Sequence, residues 1–108
     1  MEWIFLFVAG LLEIGWPLGF KLSQSSQDGS TKWLWIIAAV ISMAGSGYFL
    51  WLAQRNIPIG TAYAIWTGVG AAGTFIIGIL FFKDAATAGR ILSFFLIVAG
   101  IIGLKLTS

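Results

Sequence analysis

Residues 3–21 read WIFLFVAGLLEIGWPLGFK, an apolar run that contains a single acid, Glu13, and ends at Lys21. A helix that crosses the hydrocarbon core of a bilayer needs about 20 residues, and this run has that length. No basic segment stands before it and no small-residue cleavage site follows it. We therefore expect a retained membrane helix and not a signal peptide.

The rest of the chain has the same apolar character. Of its 108 residues, 59% are hydrophobic and 9% are charged, whereas a soluble domain carries roughly a quarter charged residues. In lipid the backbone must bond within its own segment, which favours helices over open sheets. We predict an all-α membrane protein that forms a single domain over residues 1–108. Its transmembrane helices are expected at about residues 3–21, 32–53, 59–82 and 87–106, with a polar loop at 22–31.

Several functions are disfavoured by residues that the chain lacks. It contains no cysteine and no histidine, so we expect no disulfide, no metal site and no cofactor. An enzyme would need a nucleophile, a base and an orienting group in one place, and one deep acid does not supply them. The six basic residues lie near predicted helix ends, where they would reach lipid headgroups. We expect neither enzymatic activity nor a nucleic-acid partner.

The basic residues do not select a membrane orientation. One end of the predicted bundle carries four of them, and the other carries two and the terminal amine. The first group consists of Lys21, Lys32, Lys83 and Arg90. The second consists of Arg55 and Lys105. Orientation normally follows a clear excess of Lys and Arg on one side. Either the true helix boundaries hide an ordinary bias, or the chain inserts both ways, which would permit an antiparallel dimer.

Glu13 lies about ten residues into the first helix, which places it about 15 Å deep, near the bilayer midplane. A charge there costs on the order of 2.5–3.5 kcal/mol. Such a residue faces a bundle interior or a cavity, and transporters often place their site between two inverted halves. We predict that Glu13 binds either a proton or a cation, and that a dimer completes its site. The alternative is a permanently protonated acid that pairs two helices.

Two neighbours of Glu13 on the same helix extend this prediction. Trp16 lies three residues further on, so it shares a helix face with Glu13 and can offer a π face or an indole N–H. Pro17 cannot donate a backbone hydrogen bond to the carbonyl of residue 13, so the helix is expected to loosen or bend there. Prolines are also simply tolerated in membrane helices, and that alternative stays open.

The other helices carry fewer polar residues. Tyr63, Trp66 and Thr67 form a polar-aromatic stripe on the third helix, and small residues follow them as a hinge or a packing surface: Gly68, Gly70 and Gly73. On the second helix we consider only Ser46, since Ser42 is expected to bond its own backbone. On the fourth, Ser93 and Gly100 form a small-residue seam suited to a dimer partner.

Three stretches together resemble the small multidrug resistance transporters, and in particular their guanidinium-exporter subtype. They are GLLEIGW at 10–16, IPIGTAYAIWTGVG at 57–70 and GIIGLK at 100–105. Trp16 after the acid, Thr67 after the second tryptophan, and Lys105 match that subtype. The broad-spectrum drug exporters typically have a serine after the second tryptophan and lack the first.

The resemblance implies an antiparallel dimer in which two copies of Glu13 share a central site for protons and a cationic substrate. It implies that this site is lined or braced by Gly10, Trp16, Ser46, Tyr63 and Trp66. The protein would export guanidinium or small guanidinyl cations from the cell across its cytoplasmic membrane, with protons as the coupling ion. It would act as a homodimer or paired with a related subunit.

Three features depart from the family pattern. The loop after Lys21 is longer, Gly45 and Gly47 flank Ser46, and Pro17 follows Trp16. The two glycines could make room for larger substituents, so an exporter of quaternary ammonium or aromatic cations is one alternative. A non-transporting subunit of a membrane assembly, with Glu13 as a helix-pairing device, is the alternative from another class.

Overall fold

A computed structural model of the chain describes residues 2–107. Its four helices are α1 (Glu2–Ser25), α2 (Gly29–Ala53), α3 (Ile59–Phe82) and α4 (Ala88–Leu106). Each is long and apolar enough to cross a membrane. The prediction of an all-helical chain with four membrane-spanning segments is confirmed.

The polar segment between the first two helices is shorter than the sequence predicted. The expected loop at 22–31 is largely helical, because α1 continues to Ser25 and α2 begins at Gly29. The hydroxyl of Ser23 donates to Phe20 O at 2.7 Å, and that of Ser26 donates to Leu22 O at 2.9 Å. Serine hydroxyls thus satisfy carbonyls at the end of the helix, so a polar sequence ends α1 without forming a long loop.

Consecutive helices run in opposite directions, and side-chain contacts identify the two ends of the bundle. At one end Asn56 Nδ2 donates to Glu2 Oε1 at 2.7 Å, which joins the end of α2 to the start of α1. The Nζ of Lys105 lies 5.0 Å from the centre of the Trp3 ring at the same end. At the opposite end Lys21 and Asp84 line a common cavity.

α1 lies at the centre of the bundle and packs against both α2 and α3, and α4 packs on the outer side of α3. The approach to α2 is close because the facing residues are small. A Cβ atom at Gly19 would lie 2.9 Å from both Ala39 Cβ and Trp35 O. Without a hydrophobic driving force between helices in lipid, close packing of this kind holds membrane helices together. This close packing of α1 against α2 fixes the orientation of the α1 face that carries Glu13.

α4 leaves most of its surface uncovered. None of its residues is buried, and its exposed side chains include Leu92, Phe95 and Leu96. The hydroxyl of Ser93 donates to Gly89 O at 2.9 Å, and a Cβ atom at Gly100 would meet no neighbour within 4 Å. The seam predicted at these two positions is therefore open in the single chain. Its role in a dimer remains a prediction.

Candidate functional site

Glu13 is half-buried and held by its neighbour on α1. The indole Nε1 of Trp16 donates to Glu13 Oε1 at 2.6 Å, as their three-residue spacing allows. The Trp16 ring is in turn packed edge-on against Phe20, with 5.7 Å between the ring centres. Among residues 2–107, no hydrogen bond to the second carboxylate oxygen is formed. One oxygen is thus oriented by the protein and the other remains available to a ligand.

The side chain of Glu13 lies directly against α3 at Gly70. A Cβ atom at position 70 would stand 2.6 Å from Glu13 Cγ, so only glycine leaves room there. Gly73 faces Ile14 in the same contact, and a Cβ atom at Gly68 would stand 2.9 Å from Ile101. α3 is an uninterrupted helix through these residues. All three glycines thus lie at close helix contacts in this structure.

A cavity of about 240 Å³ opens beside Glu13, between α1 and α3. It is lined by Glu13, Pro17, Thr67, Gly70, Ala71 and Thr74. α1 continues as a helix through Pro17, but proline has no N–H to donate to the carbonyl of residue 13. No side chain of residues 2–107 donates to that carbonyl either. The carbonyl of residue 13 thus lacks the backbone donor that a non-proline residue at position 17 would supply.

Ser46 joins three helices one turn away from Glu13. It is fully buried, its hydroxyl donates to Ala9 O at 2.7 Å, and it accepts from Trp66 Nε1 at 2.8 Å. The ring of Tyr63 is 5.4 Å from that of Trp66 and is itself exposed. The predicted residues therefore form two clusters in one chain: Glu13 with Trp16, and Ser46 with Trp66 and Tyr63. Both clusters rest on the same stretch of α1.

Ser42 has a role that the sequence analysis missed. Its hydroxyl donates across the helix interface to Leu12 O at 2.6 Å, and it lies directly above Gly15. The expectation that it bonds its own backbone was wrong. Ser42 and Ser46, four residues apart on α2, bond carbonyls three residues apart on α1, so two serines hold α2 to α1 just before Glu13. Gly15, which leaves space for the hydroxyl, is the sequence signal for this contact.

Gly10, predicted to line the site, is instead buried in the contact between α1 and α3. A Cβ atom there would lie 2.6 Å from Val69 Cγ1. None of the five residues predicted to line the site borders the cavity beside Glu13 in the single chain: Gly10, Trp16, Ser46, Tyr63 and Trp66. In the single chain, Gly10 lets α1 and α3 approach closely, and this approach sets the distance between Glu13 and α3.

Residues 1–97 match the Small Multidrug Resistance protein family. The chain belongs to this family. The resemblance drawn from the stretches at 10–16, 57–70 and 100–105 is thereby confirmed, and the chain is a multi-pass membrane protein.

Relatives within the Small Multidrug Resistance family match this chain from end to end. It is 48% identical to the guanidinium exporter of Yersinia pseudotuberculosis and 49% identical to that of Proteus vulgaris, in each case over the whole of both chains. It is 49% identical to the guanidinium exporter of Salmonella typhimurium, over all of this chain and 99% of that protein.

Trp16 provides a first test of the site in this family member. Trp16→Phe keeps an aromatic ring but removes the N–H that holds Glu13. A hydrogen bond to a charged group is worth about 1.5–3 kcal/mol, so the apparent KM measured with guanidinium as the test cation should rise about 10-fold or more. Trp33→Phe, on an exposed ring near the start of α2, is the matched control and should leave KM unchanged. Equal effects of the two variants would show that Trp16 does not act on Glu13.

Proposed function

We propose that this chain is a proton-coupled antiporter that exports guanidinium or small guanidinyl cations across the cytoplasmic membrane. The observation that carries the proposal is the half-buried carboxylate of Glu13, oriented through one oxygen by Trp16 Nε1 at 2.6 Å beside a cavity of about 240 Å³. The guanidinium exporters that are 46–49% identical to the chain support the choice of cation.

The chemistry of the cavity suits a small planar cation. Guanidinium presents N–H donors in a fixed fork, which matches the two oxygens of a carboxylate. Its remaining N–H groups need acceptors in a site that excludes water. Thr67 and Thr74 offer hydroxyls in the same cavity, and the carbonyl of residue 13 lacks the donor that Pro17 cannot supply. A quaternary ammonium ion has no N–H and would use none of these acceptors.

We propose further that two chains in opposite orientations form one transporter. The basic residues give little orientation bias, and α4 has an apolar surface that no part of the single chain covers. Such a pair would bring two Glu13 carboxylates to one central site. A homodimer is the simplest assembly, and pairing with a related subunit would preserve the same geometry.

Coupling to protons follows from the charge of that site. A proton and a cation can each neutralise these facing carboxylates, so the two compete for the same negative charge. An empty, doubly ionised pair is costly to hold in a dry interior. The protein would therefore change access only when the pair is protonated or carries the cation. The proton gradient then drives the cation out of the cell.

A second candidate, export of bulkier cations, is favoured by one observation. A Cβ atom at Gly47, next to Ser46, would meet nothing within 4 Å. Gly47 thus leaves the outer surface of α2 open at the position next to Ser46. Larger apolar substituents on a cation could use that space. Gly45, in contrast, packs against α1, where a Cβ atom would stand 3.3 Å from Leu12 Cδ1.

Substrate-induced currents on a solid-supported membrane separate these functions. Liposomes containing only the purified chain are exposed to guanidinium or to tetrapropylammonium at equal concentrations. We expect a saturable current with guanidinium and a current at least about 10-fold smaller with the quaternary ion. Oxygens that accept hydrogen bonds from guanidinium are left unpaired by a cation without N–H groups, so the site should reject it strongly. Comparable currents would favour the broader-spectrum exporter. No current with either cation, together with no guanidinium efflux from loaded liposomes, would favour a non-transporting assembly subunit.

A further inference from the structure

Asp84 lies just after α3 and is folded back onto that helix. Lys83, which caps the C-terminal end of α3, has a left-handed backbone conformation with φ 59 and ψ 31. The N–H of Asp84 then donates to Gly78 O at 3.0 Å. This turn brings the Asp84 carboxylate against the Cα of Gly78, where a Cβ atom would collide with Oδ2. The carboxylate is thus placed at the end of the groove between α1 and α3.

This carboxylate borders a second cavity, of about 220 Å³, between the ends of α1 and α3. Asp84 and Lys21 line its outer part, and Pro17 and Thr74 line its inner part. Pro17 and Thr74 also line the cavity beside Glu13. The two cavities therefore adjoin along one groove. Lys21 lies eight residues after Glu13 on α1, so the groove extends about 12 Å from the inner carboxylate toward the end of the bundle.

At the outer end of the groove, the Asp84 carboxylate is available to bind a cation. Within residues 2–107, its oxygens take part in no hydrogen bond and no ion pair. Lys21 provides a positive charge on the opposite wall without pairing with it. The Asp84 carboxylate on this partly enclosed wall offers a cation a negative partner, while Lys21 and the adjacent Lys83 keep the local charge from being strongly negative. A nearby ammonium limits how tightly a cation is held, and a transport path needs binding weak enough to permit release.

We propose that Asp84 forms an outer binding site for the guanidinium-class cation at the mouth of the groove that leads to Glu13. This inference rests on the proposed function. Asp84 collects the cation from the aqueous side, and the cation then passes Thr74 and Pro17 to the inner carboxylate. In an antiparallel pair each membrane face would have one such mouth. Asp84 then serves uptake from one side and release on the other.

Asp84→Asn in the full-length, liposome-reconstituted protein tests the site. We expect the KM for guanidinium exchange to rise about 5- to 10-fold at low salt, equally in both transport directions. Salt screens an exposed charge, with a Debye length of about 3 Å at 1 M, so the difference from wild type should nearly vanish there. Equilibrium binding of guanidinium to purified protein, followed by tryptophan fluorescence, should stay within about twofold, because Glu13 is unchanged.

Three further variants complete the test. Asp84→Glu should restore the wild-type KM, and Lys21→Gln should lower KM because it removes the competing charge. Asp28→Asn is the matched control, since Asp28 lies at the same end of the bundle but outside the cavity, and it should leave KM unchanged. An unchanged KM in Asp84→Asn, or an equal rise of KM in Asp28→Asn, would rule out the outer binding site but leave the proposed function intact. A wild-type chain that moves no guanidinium overturns the proposed function as well.

Discussion

Glu13→Gln is expected to abolish guanidinium binding and exchange. The substitution keeps the size of the side chain and can still accept from Trp16, but it removes the negative charge that balances the cation. Removing one partner of a buried charge pair costs about 2–5 kcal/mol. We therefore expect guanidinium affinity, measured by calorimetry or tryptophan fluorescence, to fall at least about 100-fold. Guanidinium exchange in liposomes should be undetectable.

The matched control for this substitution is Glu2→Gln. Glu2 is also an acid on α1, but it lies at the helix end and accepts a hydrogen bond from Asn56 at 2.7 Å, far from the cavity. Its replacement should leave both affinity and exchange within about twofold of wild type, as for most surface changes. Exchange by Glu13→Gln at more than a few per cent of the wild-type rate would rule out Glu13 as the exchanging carboxylate.

Gly70→Ala should be the most damaging substitution outside the charged residues. The new methyl group would stand 2.6 Å from Glu13 Cγ, so the carboxylate must shift within the cavity. A displacement of about 1 Å in a positioned group can reduce activity about 100-fold. We expect a loss of exchange of that order, with overpacking costing about 1–3 kcal/mol of stability. Circular dichroism and size-exclusion chromatography should still show a folded, monodisperse protein.

Gly60→Ala is the control on the same helix. Gly60 is exposed in the first turn of α3, and a Cβ atom there would meet nothing within 4 Å. Exchange by this variant should equal that of wild type. If Gly70→Ala exchanged guanidinium as fast as Gly60→Ala, the close contact between Glu13 and α3 would not determine the position of the carboxylate.

The helices could be predicted from the sequence because the bilayer leaves few alternatives. The expected range 59–82 coincides with α3, and α4 begins one residue later than expected. Only the segment around Ser23 to Ser30 was misjudged, and for a local reason. Serine lowers the hydropathy of a segment to a value typical of loops. Its hydroxyl can nevertheless bond a carbonyl of the preceding turn and prolong the helix.

The candidate site was predictable only where its residues share one helix. Trp16 follows Glu13 by three residues, and helical geometry alone brings the indole N–H to the carboxylate. The contacts of Ser42 and Gly10 depend on which faces of α1, α2 and α3 meet, and no spacing within one helix specifies that. Gly70 was recognised as small, but its role beneath Glu13 required the packed structure.

The most direct test of exchange at Glu13 is the proton movement caused by an imposed guanidinium gradient. Sealed liposomes containing only the purified chain are loaded with guanidinium and a pH-sensitive dye, then diluted into guanidinium-free buffer. We predict that guanidinium leaves and the interior acidifies, and that both processes are absent with Glu13→Gln. Guanidinium efflux without acidification, or acidification that persists in Glu13→Gln, would contradict proton exchange at this carboxylate.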